Sequence, residues 1–209
     1  MYGILIAIEC LDGAGKTTIL NKLKNTYTGN PDILFTREPG GTVFAEAVRE
    51  LFKSDVCKDV SHTSLSLLVN AARSDHIEKV IRPALEQGKI VITDRYTVST
   101  KMYQNQCRHN QSLIAIATRH IVPDLTFYLD IDYKTSKERI TKGRVELDHL
   151  DLIDAEEFET RRTMMLGCYQ EAEYGRHVLI DATASEQEIF AKVLGEIKAI
   201  VLCSNLAWF

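Results

Sequence analysis

The chain has 209 residues, of which 45% are apolar and 26% are charged, and its formal net charge is −4. These values are typical of one soluble globular domain with a sizeable core. The small negative charge disfavours a nucleic-acid polymer as a partner, because such binding draws on an excess of basic residues. The five cysteines form no zinc-binding spacing. We expect them to be free thiols in a reducing compartment.

At the N-terminus, the chain runs almost directly into a strand-like pattern, with no charged segment and long apolar stretch before it. We therefore expect neither a signal peptide nor a membrane span. The sequence predicts a protein of the cytoplasm, or of the host cytoplasm if its origin is viral.

Short apolar runs rich in β-branched residues predict buried parallel strands at 4–9, 33–37, 90–94, 125–130 and 177–180. Longer helical patterns alternate with them, at 16–27, 64–87, 134–141, 156–173 and 186–202. We expect Pro83 to kink the 64–87 helix, because proline has no N–H to donate. The alternation predicts a single α/β domain over 1–209, with a five-stranded parallel sheet and helices on both faces. The polar segment 142–154 is predicted to be a mobile lid.

The segment 10–18, Cys-Leu-Asp-Gly-Ala-Gly-Lys-Thr-Thr, links the first predicted strand to the first predicted helix. Gly13 and Gly15 permit a tight path whose N–H groups face phosphate oxygens, and the helix N-terminus adds partial positive charge. Lys16 is expected to reach the β- and γ-phosphates of ATP, and the Thr17 hydroxyl to bind Mg²⁺. The residues that we expect to contact ATP here are Gly13, Ala14, Gly15, Lys16, Thr17 and Thr18.

This phosphate loop (P-loop) departs from the pattern GxxxxGK[ST] at its first position, where Cys10 replaces glycine. The alternative is a strand-to-helix turn that binds nothing. The strand before the loop, the helix after it and the correctly spaced Lys-Thr pair favour nucleotide binding. The sequence leaves open whether Cys10 strains the turn.

Switches, motors and kinases all use P-loops. A GTPase would carry Asn-Lys-x-Asp after a later strand, whereas Asn21-Lys22 lies on the first helix without that aspartate. A larger ATPase machine would end an apolar strand with an acidic residue, as Asp94 and Asp130 do, so this test leaves that class open. The length of the chain and the residues after each aspartate disfavour it.

Four further segments resemble the bacterial-type thymidylate kinases. They are TREPGGT at 36–42, AAR at 71–73, DRY at 94–96 followed by STxxYQ at 99–104, and PDLTxYLD at 123–130. With the P-loop, they span nearly the whole chain in the order of the family. The resemblance implies the P-loop nucleoside monophosphate kinase fold with a lid, and transfer of the γ-phosphoryl group of ATP to dTMP with Mg²⁺.

Phosphoryl transfer requires two anions held in line with their charge neutralised, so the acceptor phosphate needs cations of its own. The resemblance places Arg95 and Arg49 there. Arg95 follows a strand end, where such folds bind ligands, and its guanidinium suits two-pronged phosphate binding. The alternatives are an ion pair between Arg95 and Asp94, and a solvated Arg49 on an amphipathic helix.

Three acidic residues are expected near the reacting groups. Asp94 orients Mg²⁺, directly or through water, because this ion prefers oxygen ligands. By resemblance, Asp12 lies near the 3′-hydroxyl and phosphate of the acceptor, or it stabilises the turn. Glu38 faces the acceptor nucleotide or holds its own loop.

The resemblance assigns the acceptor base and sugar to Arg73, Thr100, Gln104 and Tyr103. Arg73 donates to a pyrimidine carbonyl, Thr100 and Gln104 satisfy the remaining polar edge, and Tyr103 excludes a ribose 2′-hydroxyl. Bacterial members usually place a stacking Phe four residues before this arginine, whereas this chain has Val69. Because base–aromatic stacking contributes about 1–3 kcal/mol, we expect weaker or broader acceptor binding, extending to dUMP or a 5-substituted pyrimidine.

Family members carry a catalytic arginine either in the P-loop or in the lid. The P-loop position is Ala14 here, so Arg144 in the lid is the candidate for contacting the transferring phosphoryl group. His149 stands where the lid form often has a second arginine, which implies weaker or pH-dependent lid catalysis. The residues expected to act in catalysis are Lys16, Asp94, Arg95 and Arg144.

Adenine recognition leaves the faintest pattern. By resemblance, Arg139 stacks on the adenine and the turn 181–183 closes around it.

The family also implies a homodimer through helices beside the active site. The alternative from another class is a non-catalytic ATP switch, which would hydrolyse ATP without a nucleotide acceptor.

Overall fold

A central sheet organises the protein. The computed structural model describes residues 2–143, 153–172 and 174–204. Within these ranges the strands are β1 Ile4–Cys10, β2 Ile33–Arg37, β3 Ile90–Asp94, β4 Leu125–Asp130 and β5 Arg176–Asp181. They pair in parallel in the order β2-β3-β1-β4-β5. The predicted five-stranded parallel sheet is confirmed.

Helices connect the strands. In the described residues they are α1 Lys16–Thr26, α2 Val43–Lys53, α3 His62–His76, α4 Arg82–Glu86, α5 Thr97–Tyr103, α6 Asn110–Thr118, α7 Tyr133–Gly143, α8 Ala155–Gln170 and α9 Glu186–Cys203. A 3₁₀ turn covers Asp55–Cys57 and a π-helical turn covers Ile77–Ile81. The described helices include none that combines the length with the apolar character that a membrane crossing requires.

Strand β1 is the centre of the core. All seven of its residues are buried, as expected for a parallel strand covered on both faces. Ile4, Ile6 and Ile8 pack with residues of α1, α8 and α9, whereas Leu5 and Ala7 pack with residues of α4 and the π-helical turn. This alternation follows from the two-residue period of a strand, and it places helices on both faces as predicted.

The helix predicted over 64–87 differs in the structure. It begins at His62, and its irregularity lies before Pro83, in the π-helical turn Ile77–Ile81. This turn brings Pro83 into the first turn of α4, where a missing N–H is tolerated. The irregularity thus lies in the turn before the proline, which includes Lys79, the residue whose carbonyl a helical N–H at position 83 would bond.

The carboxyl ends of the strands carry the predicted motifs to one edge of the sheet. The P-loop follows β1, the TREPGGT segment begins in β2, and Asp94 ends β3. In the register of the sheet, Asp94 lies beside Ile8 in β1 and beside Arg37 in β2. Ligands of open α/β sheets bind at this edge, so the fold brings the candidate residues together.

Of the predicted lid, only the two ends belong to the described residues. Lys142 and Gly143 finish α7, and the side chain of Asp154 caps α8 by accepting from the backbone N–H of Glu157. Arg144 and His149 lie outside the described residues, so their predicted roles stay predictions.

Candidate active site

The P-loop has the backbone that its glycines were expected to provide. Gly13 and Gly15 have φ values of 80° and 84°. A Cβ atom on Gly13 would lie 2.8 Å from the backbone oxygen of Ser136 in α7, so this position also needs glycine for space. The Ser136 hydroxyl donates to the carbonyl of Asp12 at 2.8 Å and holds the loop against α7. Gly15 caps α1 without a side-chain hydrogen bond, which suits the helix N-terminus for an anion.

Cys10 does not strain the loop. It is the last residue of β1, is buried, and lies outside the left-handed region that would require glycine. Burial raises the pKa of its thiol to about 11, so the side chain is neutral at physiological pH. Cysteine is thus tolerated at the first position of the P-loop pattern because this residue belongs to the end of strand β1.

Lys16 points to the end of β3. Its ammonium group pairs with the Asp94 carboxylate, and both side chains are mostly buried. Thr17 lines a cavity together with Lys16 and Asp94. The predicted phosphate-binding lysine and the two predicted metal-ligating residues therefore share one region.

Arg95 contacts the P-loop through its side chain. Its guanidinium donates to the carbonyl of Cys10 and to the carboxylate of Asp12, each at 2.8 Å. The alternative pairing of Arg95 with Asp94 is wrong, because Asp94 pairs with Lys16. Burial by itself lowers the pKa of Arg95, but electrostatic interactions with Tyr103, Asp12 and other neighbours raise it overall, so the side chain stays cationic.

Both cations line a cavity of about 370 Å³. It collects every predicted acceptor-binding residue: Asp12, Glu38, Arg49, Val69, Arg73, Arg95, Thr100, Tyr103 and Gln104. Lys16, Thr17 and Asp94 also line it, so the predicted donor and acceptor phosphate sites open onto one space.

A buried ionic network forms one wall of the cavity. The Nε of Arg73 donates to Glu38 at 2.7 Å, and its two other nitrogens donate to the side chains of Asn70 and Thr100 and to the carbonyl of Tyr96. Because the Thr100 hydroxyl accepts from Arg73, its own hydrogen remains for another acceptor.

Glu38 holds its own loop, one of the two roles predicted for it. One carboxylate oxygen accepts from Arg73, and the other lies 3.3 Å from Nδ1 of His76. Nε2 of His76 lies 2.6 Å from the hydroxyl of Thr36, and a Cβ atom on Gly41 would collide with this imidazole. Gly41, the second glycine of the TREPGGT segment, thus makes room for the His76 side chain.

The charge of Glu38 depends on its neighbours. Burial raises the pKa of this carboxyl. The positive charge of Arg73 and the hydrogen bond with His76 outweigh that effect, so the net pKa lies below its ordinary value of 4.5. The glutamate is therefore ionised at neutral pH.

Arg49 is an incompletely paired cation at the cavity. Its Nη1 lies 3.4 Å from the carbonyl of Pro39, and its buried Nε has no hydrogen-bond partner among the described residues. Burial and then the charge of Arg37 lower its pKa. This position is more enclosed than the solvated helix surface that was the alternative.

Two residues that sequence reasoning missed also line the cavity, Phe52 of α2 and Arg161 of α8. Phe52 is an aromatic side chain in the acceptor region, where Val69 lacks one. Arg161 lies 4.7 Å from the ring of Tyr103, and its Nη1 has no partner in the described part of the chain. No motif or spacing singles out either residue. Each was brought to the cavity by packing of its helix.

Arg139 of α7 lies beside the turn after β5. Its Nη1 donates to the carbonyl of Ala182 at 2.9 Å. The structure therefore brings together Arg139 and the turn 181–183, which were both predicted to surround the adenine.

Comparisons with known proteins agree with this geometry. The family model described as thymidylate kinase matches residues 8–193. The chain belongs to the thymidylate kinase family. It is 32% identical to the thymidylate kinase of Bifidobacterium longum over 209 residues, which cover 96% of this chain and 100% of the relative. It is 38% identical to that of Lactobacillus delbrueckii over 151 residues, which cover 69% of this chain and 71% of the relative.

A solved structure of the same family has the same fold. The thymidylate kinase of Ehrlichia chaffeensis superposes with a TM-score of 0.71 at 27% identity, covering 94% of this chain and 99% of that one. Family membership and the P-loop nucleoside monophosphate kinase fold are thus confirmed.

We predict that Arg73→Met lowers the free energy of unfolding by about 3–5 kcal/mol at pH 7, because it leaves a buried carboxylate without its main countercharge. In the native protein the stabilisation from Glu38 is fully present above pH 4.5 and is lost as pH falls through the lowered pKa. In the variant, burial raises the pKa of Glu38, so the carboxyl takes up a proton on acidification. Urea denaturation should therefore show a smaller difference from the native protein at pH 5 than at pH 7.

Arg82→Met is the matched control. Arg82 lies 3.9 Å from a half-exposed Glu78, and we expect a loss below about 1 kcal/mol at both pH values. Equal stability of the two variants at pH 7 would contradict the role assigned to the network.

Proposed function

We propose that this protein transfers the γ-phosphoryl group of ATP to dTMP, giving ADP and dTDP. The observation that carries the proposal is that Lys16 and Arg95 line one cavity, each paired with a different carboxylate. Two phosphate groups can approach each other there with a separate cation for each. Such positioning and charge neutralisation account for most of the catalysis of phosphoryl transfer.

On the donor side, the P-loop N–H groups and Lys16 bind the β- and γ-phosphates. Asp94 holds the Lys16 ammonium group at the mouth of the cavity. Gly13, Ala14, Gly15, Thr17 and Thr18 surround the phosphates, and Arg139 with the turn 181–183 encloses the adenine. The contacts of Gly13 and Asp12 with Ser136 hold the loop against α7, which supports a preformed donor site.

On the acceptor side, Arg95 and Arg49 bind the phosphate of dTMP. Asp12 accepts from both Arg95 and the Tyr103 hydroxyl, and the latter bond measures 3.1 Å. This arrangement supports the proposal that Asp12 and Tyr103 face the deoxyribose and its 3′-hydroxyl. Arg73, Thr100 and Gln104 face the pyrimidine, and the ionised Glu38 holds Arg73 in place.

The residues present fit Mg²⁺. The described residues contain no cluster of three or more His, Cys, Asp or Glu side chains suited to a metal, and Mg²⁺ commonly takes one or two protein oxygens together with phosphates and water. Thr17 and Asp94 supply such oxygens at the cavity. The ion would neutralise charge on the phosphates.

The lid is the proposed source of a further cation. We propose a single kinase domain over 1–209 with a lid at about 142–154, in which Arg144 contacts the transferring group. The described ends of this segment adjoin two helices, since Lys142 and Gly143 finish α7 and Asp154 caps α8. Helix α8 also brings Arg161 to the cavity. A lid hinged there can exclude water while the phosphates react.

We expect dTMP to stimulate ADP release from ATP strongly in a coupled assay with Mg²⁺. Lys16→Met should lower kcat by about 10²–10³, because it removes a fixed charge from the developing phosphoryl group. Lys198→Met, a substitution on the exposed side of α9, should leave the rate unchanged. If ADP release were equally fast with and without dTMP, the ATP switch would be the better description.

A broader acceptor preference is the second candidate, favoured by Val69 at the cavity wall. We expect dUMP or 5-substituted pyrimidine monophosphates to be phosphorylated at rates within a small factor of dTMP. Val69→Phe should lower the KM for dTMP by roughly tenfold, given the energy of base–aromatic stacking. Competitive turnover of dTMP, dUMP, dCMP and dGMP measures both effects.

The matched control is Val122→Phe, which adds the same ring at an exposed site outside the cavity. Strict dTMP selectivity with a low KM in the native protein would refute this second candidate and leave the first intact. Phe52 would then be the aromatic that replaces the missing ring.

We also propose a homodimer formed through α2, α3 and α6 in the cytoplasm. Apolar side chains that are exposed in the single chain lie on all three helices: Val43, Phe44, Leu51, Leu67 and Ile116. Helix α3 packs against both α2 and α6, so the three helices form one continuous side of the protein. The five free cysteines agree with a reducing compartment.

Sedimentation analysis should show a dimer that Leu67→Asp dissociates, because a charge cannot be buried in an apolar interface without a partner. Leu202→Asp, at an exposed position of α9, should remain dimeric. A native protein that sediments as a monomer at micromolar concentration would refute the proposed dimer.

A further inference from the structure

Glu9 is a fully buried carboxyl group in β1 with no role in the scheme above. One of its oxygens accepts from the backbone N–H groups of Tyr96 and Val98 at 2.8 and 3.1 Å. Its other oxygen accepts from the Ser99 hydroxyl at 2.5 Å. All three bonds lead to the segment that follows β3, which is the segment that carries Arg95.

The backbone of Arg95 is held in an unusual conformation by two neighbouring residues of β1. Its φ of 68° lies in the left-handed region, which is unfavourable for a residue with a side chain. The Arg95 N–H donates to the carbonyl of Ile8 at 3.0 Å, and the next N–H, that of Tyr96, donates to Glu9. The strand and the glutamate therefore fix the chain on both sides of the peptide that aims Arg95.

The side chain of Arg95 is tied to the same carboxylate through Ser99. The Ser99 hydroxyl donates to Glu9 and accepts from Nη1 of Arg95 at 3.3 Å. The same nitrogen also donates to the carbonyl of Cys10. A carboxylate is needed for this arrangement, because it accepts all three bonds and presents no hydrogen of its own to Ser99.

We propose that Glu9 is a positioning residue for the acceptor phosphate. It fixes the Arg95 backbone through Tyr96 and Val98, and it orients the guanidinium through Ser99. The inference rests on the proposed role of Arg95 in binding the acceptor. Burial raises the pKa of Glu9 above its ordinary value, and the hydrogen bond from Ser99 and the charge of Arg95 act in the opposite direction.

The test compares Glu9→Gln with Ser99→Ala in steady-state kinetics and in equilibrium binding of dTMP without ATP. Glutamine keeps the shape of Glu9 but presents an amide N–H₂ in place of one carboxylate oxygen. We expect the KM and the dissociation constant of dTMP to rise about tenfold in Glu9→Gln, because a small misplacement of a binding group costs this much or more. The KM for ATP should stay within twofold.

Ser99→Ala keeps the carboxylate and breaks only the link to the guanidinium, so it remains informative if Glu9→Gln does not fold. We expect it to weaken dTMP binding less than Glu9→Gln does. The double variant should resemble Glu9→Gln, since Ser99 acts through the same carboxylate. Thr126→Val, a buried polar position of β4 away from the cavity, controls for general destabilisation.

A purely structural Glu9 would lower the amount of folded enzyme and leave the KM for dTMP unchanged, or would raise the KM for both substrates alike. Either result would overturn the inference. If the native protein neither binds nor phosphorylates dTMP, the proposed function itself fails. Native activity with unaltered dTMP binding in both variants refutes only the role of Glu9.

Discussion

The site depends on two cations that line one cavity at one edge of the sheet. Lys16 and Arg95 would repel each other, and each is balanced by a carboxylate that comes from the other's segment. Asp94, next to Arg95 in sequence, pairs with Lys16, and Asp12, in the P-loop, pairs with Arg95. This exchange of partners ties the ends of β1 and β3 together, and it fixes the gap in which two phosphates would meet.

Buried polar groups then hold the acceptor wall behind these cations. Glu38 is ionised between Arg73 and His76, and Glu9 receives three hydrogen bonds from the segment after β3. Taking such groups out of water costs free energy that is offset only when every partner is present. Arrangements of this kind are sensitive to single substitutions, which suits them to positioning substrate-binding groups rather than to adding stability.

Much of the site could be predicted because its residues lie in short local patterns. The P-loop, Asp94-Arg95 and the segment from Thr100 to Gln104 each follow a strand, and parallel strands present their carboxyl ends together. Phe52 and Arg161 were missed since each lies on a helix whose orientation depends on packing. Glu9 was missed for a different reason. Its buried carboxyl stands in an apolar strand, and its partners are about ninety residues away in the chain.

The sequence by itself determined the parallel α/β fold, the nucleotide-binding loop and the kinase family, because hydrophobic periodicity, glycine positions and motif spacing are local properties. Only the tertiary structure decided how charges pair. Several side chains of opposite charge lie near each other in sequence or in space. Which of them form ion pairs depends on how the folded backbone orients each side chain and on which buried partners it meets. For this reason Arg95 pairs with Asp12 and not with its sequence neighbour Asp94. Packing likewise decided that the helix before Pro83 changes to π-helical hydrogen bonding at Ile77–Ile81.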